Sequence, residues 1–216
     1  MGPSLSASEW VCALESTSDF SQSATASRLT SKQQQQLDVF NSLISQEGIE
    51  LQINPYGALL GFINPISCDV EHDEQGNLVG IGICQGKRCF YFTYIDPVLK
   101  NLLEDCKFVM HNGVSDMEML RFWGINVRDD QLVWDTMLIG HLLDSSLKDY
   151  GLKGMAKREL GIEYPSYDDI VGKRGLKAER ITLDKQPLEL VAKYNAMDCY
   201  TTYRLYERQK KACENI

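Results

Sequence analysis

The chain has 216 residues, 44% of them hydrophobic, enough for one full core and, by length, for a single domain. Its net charge of −8, from 22 Lys and Arg against 30 Asp and Glu, excludes holding nucleic acid by bulk electrostatics, so any such role needs local basic patches or bound cations. No apolar run approaches the roughly 20 residues of a membrane helix. Seven cysteines, none in a Cys-x-x-Cys pair and several inside apolar stretches, read as reduced core residues. That usage favours the cytoplasm or another reducing interior, such as a nucleus or an organelle matrix.

Residues 1–30, rich in Ser, Thr and Ala, read as a weakly ordered tail in which Trp10, Val11 and Leu14 can dock as a short helix. Thr30 or Ser31 caps a helix to about Ser45, with Leu37, Phe40, Leu43 and Ile44 as its apolar stripe. The stretch from Ile49 to Phe62 is apolar but broken at Pro55-Tyr56-Gly57, and periodicity leaves it unassigned; 31–64 is taken as a helix plus a connecting segment. From Pro65 the pattern clears. Strands are expected at Pro65 to Glu71, Leu78 to Cys84 and Arg88 to Tyr94, joined by turns short enough to make them antiparallel neighbours. Asp96 and Pro97 open a helix; a short strand follows at Lys107 to Met110, then a helix from Val114 that Gly124 ends. Gln131 to Trp134 is a further apolar run leading into a helix to about Leu143. Another helix spans Leu152 to Leu160, and the last runs from near Pro187 to about Gln209. The fold class is therefore α/β, a mixed sheet of three antiparallel strands and then parallel ones, flanked by helices.

Within the first strand, Asp69 and Glu71 point to one face about 7 Å apart, because alternate residues share a side. Carboxylates so paired in a core strand either take up protons or share a cation, and all-oxygen ligands suit Mg²⁺ or Mn²⁺; a solvated strand end has the same pattern. Asp116 lies in the first turn of the helix that follows His111-Asn112-Gly113, at the kind of strand end where ligands collect, though taken alone its placement near the positive helix end is the readier explanation. In the last helix Val191, Tyr194, Asp198, Thr202 and Leu205 fall on one stripe, so Asp198 sits on the face that should be buried and needs a partner. Four carboxylates and a tyrosine fit one chemistry. Two divalent ions about 4 Å apart activate a water and stabilise a departing 3′ oxygen.

Asp69-x-Glu71, Asn112-x-x-x-Asp116 and Tyr194-x-x-x-Asp198 resemble, in order and spacing, the three exonuclease motifs of the DEDD group in its tyrosine variant. The stretch from Pro65 to Gln209 is similar to the proofreading 3′–5′ exonuclease domain of family A DNA polymerases. Trp134 to Leu138 and Tyr167 to Lys173 resemble further segments of that domain. The resemblance implies a ribonuclease H-like domain over 65–212. It implies Asp69, Glu71 and Asp198 as ligands of the ion that activates water, with Asp69 bridging to a second ion held by Asp116 partly through water. Tyr194 would orient the attacking water with Glu71, and Asn112 would position the strand or the carboxylates. Val70 and His72 depart from the threonines usual beside the Glu; His72 either touches substrate or stands exposed at the strand end. His141, on the apolar side of its helix, reads as a core histidine. Lys173, Arg174, Lys177 and Arg180, the densest basic run, either meet the phosphates of an entering strand or form a solvated loop.

The implied activity is a 3′–5′ exonuclease that uses two Mg²⁺ or Mn²⁺ ions, acts on single-stranded or frayed DNA 3′ ends and releases 5′-mononucleotides. No membrane partner is expected. A chain ending at Ile216 is expected to stand alone as a monomer or to belong to a polymerase assembly. The rivals are an exoribonuclease of the ribonuclease D kind and a non-catalytic nucleic-acid-binding module.

Overall fold

The structure is a computed structural model that describes residues 29–55, 61–62, 64–172 and 181–214. Helix α1 (Ser31–Glu47) precedes strands β1 (Glu50–Ile53), β2 (Ile66–His72), β3 (Leu78–Gln85) and β4 (Arg88–Phe92). Helix α2 (Pro97–Asp105), strand β5 (Phe108–Met110), helix α3 (Val114–Phe122), strand β6 (Leu132–Asp135) and helix α4 (Thr136–Leu143) follow. Then come α5 (Leu152–Met155), which continues as a π-helical turn, α6 (Tyr167–Val171) and the long α7 (Leu188–Cys213). The six strands lie in the order β1-β4-β3-β2-β5-β6. β2, β3 and β4 pair antiparallel, β5 and β6 join parallel, and β1 adds a parallel edge beside β4. This is the expected mixed α/β sheet, extended by β1 from the stretch that periodicity leaves unassigned. Among the described residues no helix is long and apolar enough to cross a membrane.

Local signals set the helix starts. Asp96 accepts a hydrogen bond from the Leu99 amide at 2.7 Å, with Pro97 at the first position, as capping chemistry requires. Ser166 and Asp169 cap each other reciprocally and turn the segment after Tyr164 into α6, a helix too short for periodicity to register. On β2 the alternation divides the strand. Ile66, Cys68 and Val70 enter a core with Ile81, Phe90, Leu99, Leu103, Phe108 and Leu120, on the side covered by α2 and α3. Asp69 and Glu71 take the other face, under α7, which crosses β2, β3 and β4 and is flanked by α1 and α4.

Two expectations are corrected. Cys84 and Cys89 are not reduced: they stand opposite each other across the β3–β4 hairpin, 4.2 Å apart at Cα, and are joined as a disulfide. The two-residue turn, with Gly86 at φ +61°, sets that register, and a search for Cys-x-x-Cys spacing passes over pairs opposed across a hairpin. His141 is not a core residue but exposed, its ring edge-on to Tyr150 at a centroid distance of 4.9 Å. Helix α4 is apolar nearly all round, with Leu138 and Leu142 also exposed, so its sequence cannot identify the buried face. The expectations for the tail up to residue 28 and for Lys173, Arg174, Lys177 and Arg180 lie outside the described residues.

The close seat of α7 on the sheet depends on Gly82, which pairs with Asp69 across β2 and β3. A Cβ there would lie 1.6 Å from Asn195 Oδ1 and 2.9 Å from Cys199 Sγ, both on α7. Gly82→Ala is therefore expected to lower stability by about 1–3 kcal/mol, the usual scale of overpacking. Thermal melting checks this, and an unchanged midpoint would contradict the packing described.

Candidate active site

Strand β2 and helix α7 bring together side chains that are 127 to 129 residues apart in the chain. One carboxylate oxygen each from Asp69, Glu71 and Asp198 lies within 4.8 Å of the others. Asp116, in the first turn of α3, is outside that trio but close enough for its charge to act on Asp69. Tyr194 is buried one turn before Asp198 on the same face of α7, and its ring is held from behind by Phe40 of α1, edge-on at 6.4 Å. Phe40 also meets the Tyr164 ring at 6.5 Å. Helix α1 is pinned there by Tyr200, which donates to Glu47 Oε2 at 2.7 Å, and by Gln36, which donates to the Asp169 carbonyl.

Three further groups hold the acids. Asn195, fully buried, donates from Nδ2 to Asp69 Oδ2 at 2.7 Å. Tyr164 donates its hydroxyl to Asp198 Oδ1 at 2.7 Å and lies 2.8 Å from Thr201 Oγ1. Lys153, from α5, pairs with the same Asp198 oxygen. On the second strand end, Asp135 accepts from the amides of Met137 and Leu138, capping α4, and from those of Asn112 and Gly113, fixing the turn that leads into α3 and so the place of Asp116.

The electrostatics follow from crowding like charges beneath a helix. Burial, and then the charge of Asp198, pushes the Glu71 carboxyl up to about 8, against the opposing pull of Asn195 and Lys153. Asp116 rises to about 8 through burial, Asp135 and Asp198. Asp69 is raised by burial first and then by Glu71, Asp116 and Asp198. The Tyr194 phenol is raised as well, mainly by burial, so it keeps its proton. A cluster that resists holding its own negative charge is a ready acceptor of cations.

Residues 50–213 match the pattern of a family described as 3′–5′ exonuclease, the exonuclease domain associated with family A DNA polymerases. The chain belongs to this 3′–5′ exonuclease family. It is 30% identical over 169 residues to DNA polymerase I of Synechocystis sp., covering 68% of this chain and 16% of that protein. The DNA polymerase of Bacillus phage SP01 is 34% identical over 155 residues, again with 16% of its length covered. The chain thus spans about a sixth of the length of these polymerases. Among solved structures, Brucella melitensis NrnC with bound Mg²⁺ has the same fold, with TM-score 0.58 and 19% identity over 77% of this chain and 82% of that one. Escherichia coli RNase D, an exoribonuclease, shares it too, with TM-score 0.52 and 16% identity over 82% of this chain and 44% of that one.

Set in this exonuclease fold, the other candidate residues stand as follows. Asn112 is exposed, with φ +58°, at the turn before α3. His72 is exposed beyond a bulge in β2, its Nδ1 2.8 Å from the Asp73 carbonyl. Sequence reasoning passed over Lys153, Tyr164 and Asn195. Asn195 carried a usable signal, since it lies three residues before Asp198 in the same helix; Lys153 and Tyr164 reach the site by tertiary packing that no local spacing encodes.

The raised carboxyls set the pH dependence of stability. Glu71 and Asp116 ionise near 8 when folded and near about 4 when unfolded, so the stability they contribute is full below about pH 4 and is lost as pH rises through about 8. In chelator the melting temperature is expected to fall between pH 5 and pH 8.5, and Asp198→Asn, which removes one repelling charge, to flatten that fall. Melts across this range check it; a midpoint that rises with pH would contradict the crowding.

Proposed function

We propose that this exonuclease domain trims single-stranded or frayed DNA from the 3′ end, one nucleotide at a time, using two Mg²⁺ or Mn²⁺ ions and releasing 5′-mononucleotides. The observation that carries the reading is the approach of Asp69, Glu71 and Asp198 to within 4.8 Å, beside a buried Tyr194. The donor set fits the ions: all ligand atoms are oxygens, and Asp69 and Glu71 are raised even against the lowering pull of Lys153. Asp69, Glu71 and Asp198 would hold one ion, and Asp69 with Asp116 the other. Bound there, the pair of ions would activate a water and stabilise the departing 3′ oxygen.

The chain's own groups do the rest. Tyr194 keeps its proton and can fix a water through its hydroxyl, with Glu71 as the second orienting group. Of the exposed pair, Asn112 is assigned to positioning the strand or the carboxylates and His72 to contact with the substrate, and Lys173, Arg174, Lys177 and Arg180 are assigned to the phosphates of the entering strand. The catalytic domain is assigned to residues 65–212, with 31–64 as its flank and 1–30 as a tail. DNA is the preferred substrate because the curated relatives at 30% identity or more are DNA polymerases, whereas the likeness to RNase D extends to the fold alone. The same relatives support a proofreading or repair role, and the domain is assigned to act as a monomer or within a polymerase assembly.

The test is a digestion ladder on 3′-labelled and 5′-labelled single-stranded DNA and RNA. Stepwise shortening of the 5′-labelled DNA from its 3′ end, stopped by chelator and restored by Mn²⁺, is expected; chelator-resistant cleavage would exclude the mechanism, and faster loss of RNA would favour the exoribonuclease reading. Asp69→Ala and Asp198→Ala should each lower turnover by at least about 10³-fold while the fold persists. Tyr194→Phe should cost less, about 10²-fold. Near-normal turnover in Asp69→Ala would refute the site.

A further inference from the structure

Lys153 is the one described base lining a cleft of about 480 Å³ whose other polar lining includes Asp149, Ser166, Asp168 and Asp198. Its ammonium does not point to solvent. It pairs with Asp198 Oδ1, lies 3.9 Å from the Tyr164 ring centroid and 4.5 Å from that of Tyr194, and its side chain is 27% exposed. Two aromatic faces and a carboxylate thus form a built seat for a single positive charge. The backbone that delivers it is equally defined: Asp149 Oδ1 accepts from the Gly151 amide at 2.8 Å, and a Cβ on Gly154 would fall 2.0 Å from Asp149 Oδ2, so the carboxylate packs directly against that glycine. The four-residue helix α5 is therefore tied down while the lysine stem, four flexible carbons, crosses the cleft to the acids.

This seat lies on Asp198, a carboxylate assigned above to a divalent ion. A monovalent cation and a divalent one held at contact distance by the same carboxylate repel each other strongly. A polyanionic strand entering the same cleft otherwise meets described acids. Resting on the function proposed above, we infer that Lys153 is a displaceable resident cation: it holds Asp198 until a divalent ion takes that carboxylate, and its freed ammonium then takes a backbone phosphate of the 3′-terminal nucleotides. It is a positioning residue for the metal and a contact for the substrate. The two roles carry opposite signs, because the lysine competes with the first ligand and attracts the second, and a side chain serving the fold alone would produce neither.

The test uses the whole chain as wild type, Lys153→Met and Lys153→Arg, titrated with Mn²⁺ in the absence of nucleic acid, with the free ion read by electron paramagnetic resonance. Lys153→Met, which keeps the apolar stem, is expected to bind Mn²⁺ about tenfold more tightly than wild type, and Lys153→Arg, which keeps the charge, close to it. With Mn²⁺ saturating, Lys153→Met is then expected to show a KM for 3′-end trimming of single-stranded DNA raised about tenfold, with a smaller change in kcat. Equal or weaker Mn²⁺ affinity in Lys153→Met overturns the resident-cation role. Tighter Mn²⁺ with an unchanged KM overturns the transfer to phosphate. A wild-type chain that neither binds Mn²⁺ nor shortens the oligonucleotide sinks the proposed function itself, which separates that failure from a failure confined to the variants.

Discussion

The structure turns on one constraint: Asp69, Glu71 and Asp198 must be held together against their own repulsion. Alternation along β2 and the register of α7 impose the closeness. Gly82 leaves room for the helix to come down on the strand, Asn195 uses that room to donate to Asp69, and Tyr164 and Lys153 answer Asp198. Stability is given up locally so that a cation finds an address. Proteins commonly store such unfavourable arrangements at working sites and offset them elsewhere, here by the apolar core on the far face of the sheet.

Much of this was legible in the chain. Apolar runs bounded by short turns located β2, β3 and β4, and the Asp96-Pro97 pair located α2, because both signals are local and the structure uses them locally. The burial of Asp198 followed from a helical stripe whose neighbours Ala196, Met197 and Cys199 are also buried. What escaped was information carried between elements. The Cys84–Cys89 bond depends on hairpin register, the exposure of His141 on which side of an apolar helix found a partner, and β1 on pairing with a strand 38 residues later in register. Lys153 could not be found by spacing, since a lysine three residues before a buried alanine reads as an ordinary solvated helix position.

The electrostatic design also reconciles an acidic chain with a polyanionic substrate. Net charge of −8 opposes binding at long range, yet the acids responsible at the site are the ones that recruit positive charge to it. On the proposed two-ion function, affinity for nucleic acid would be conditional on the ions present rather than a fixed property of the surface.

Helix α1 lies wholly before residue 50, where the family pattern begins, yet its Phe40 backs the ring of Tyr194. The inherited motif and the mechanical unit that keeps its tyrosine upright therefore do not share a border. A relative with the same signature but a different leading helix would present the same phenol against a different backing, in a segment that motif comparison never inspects.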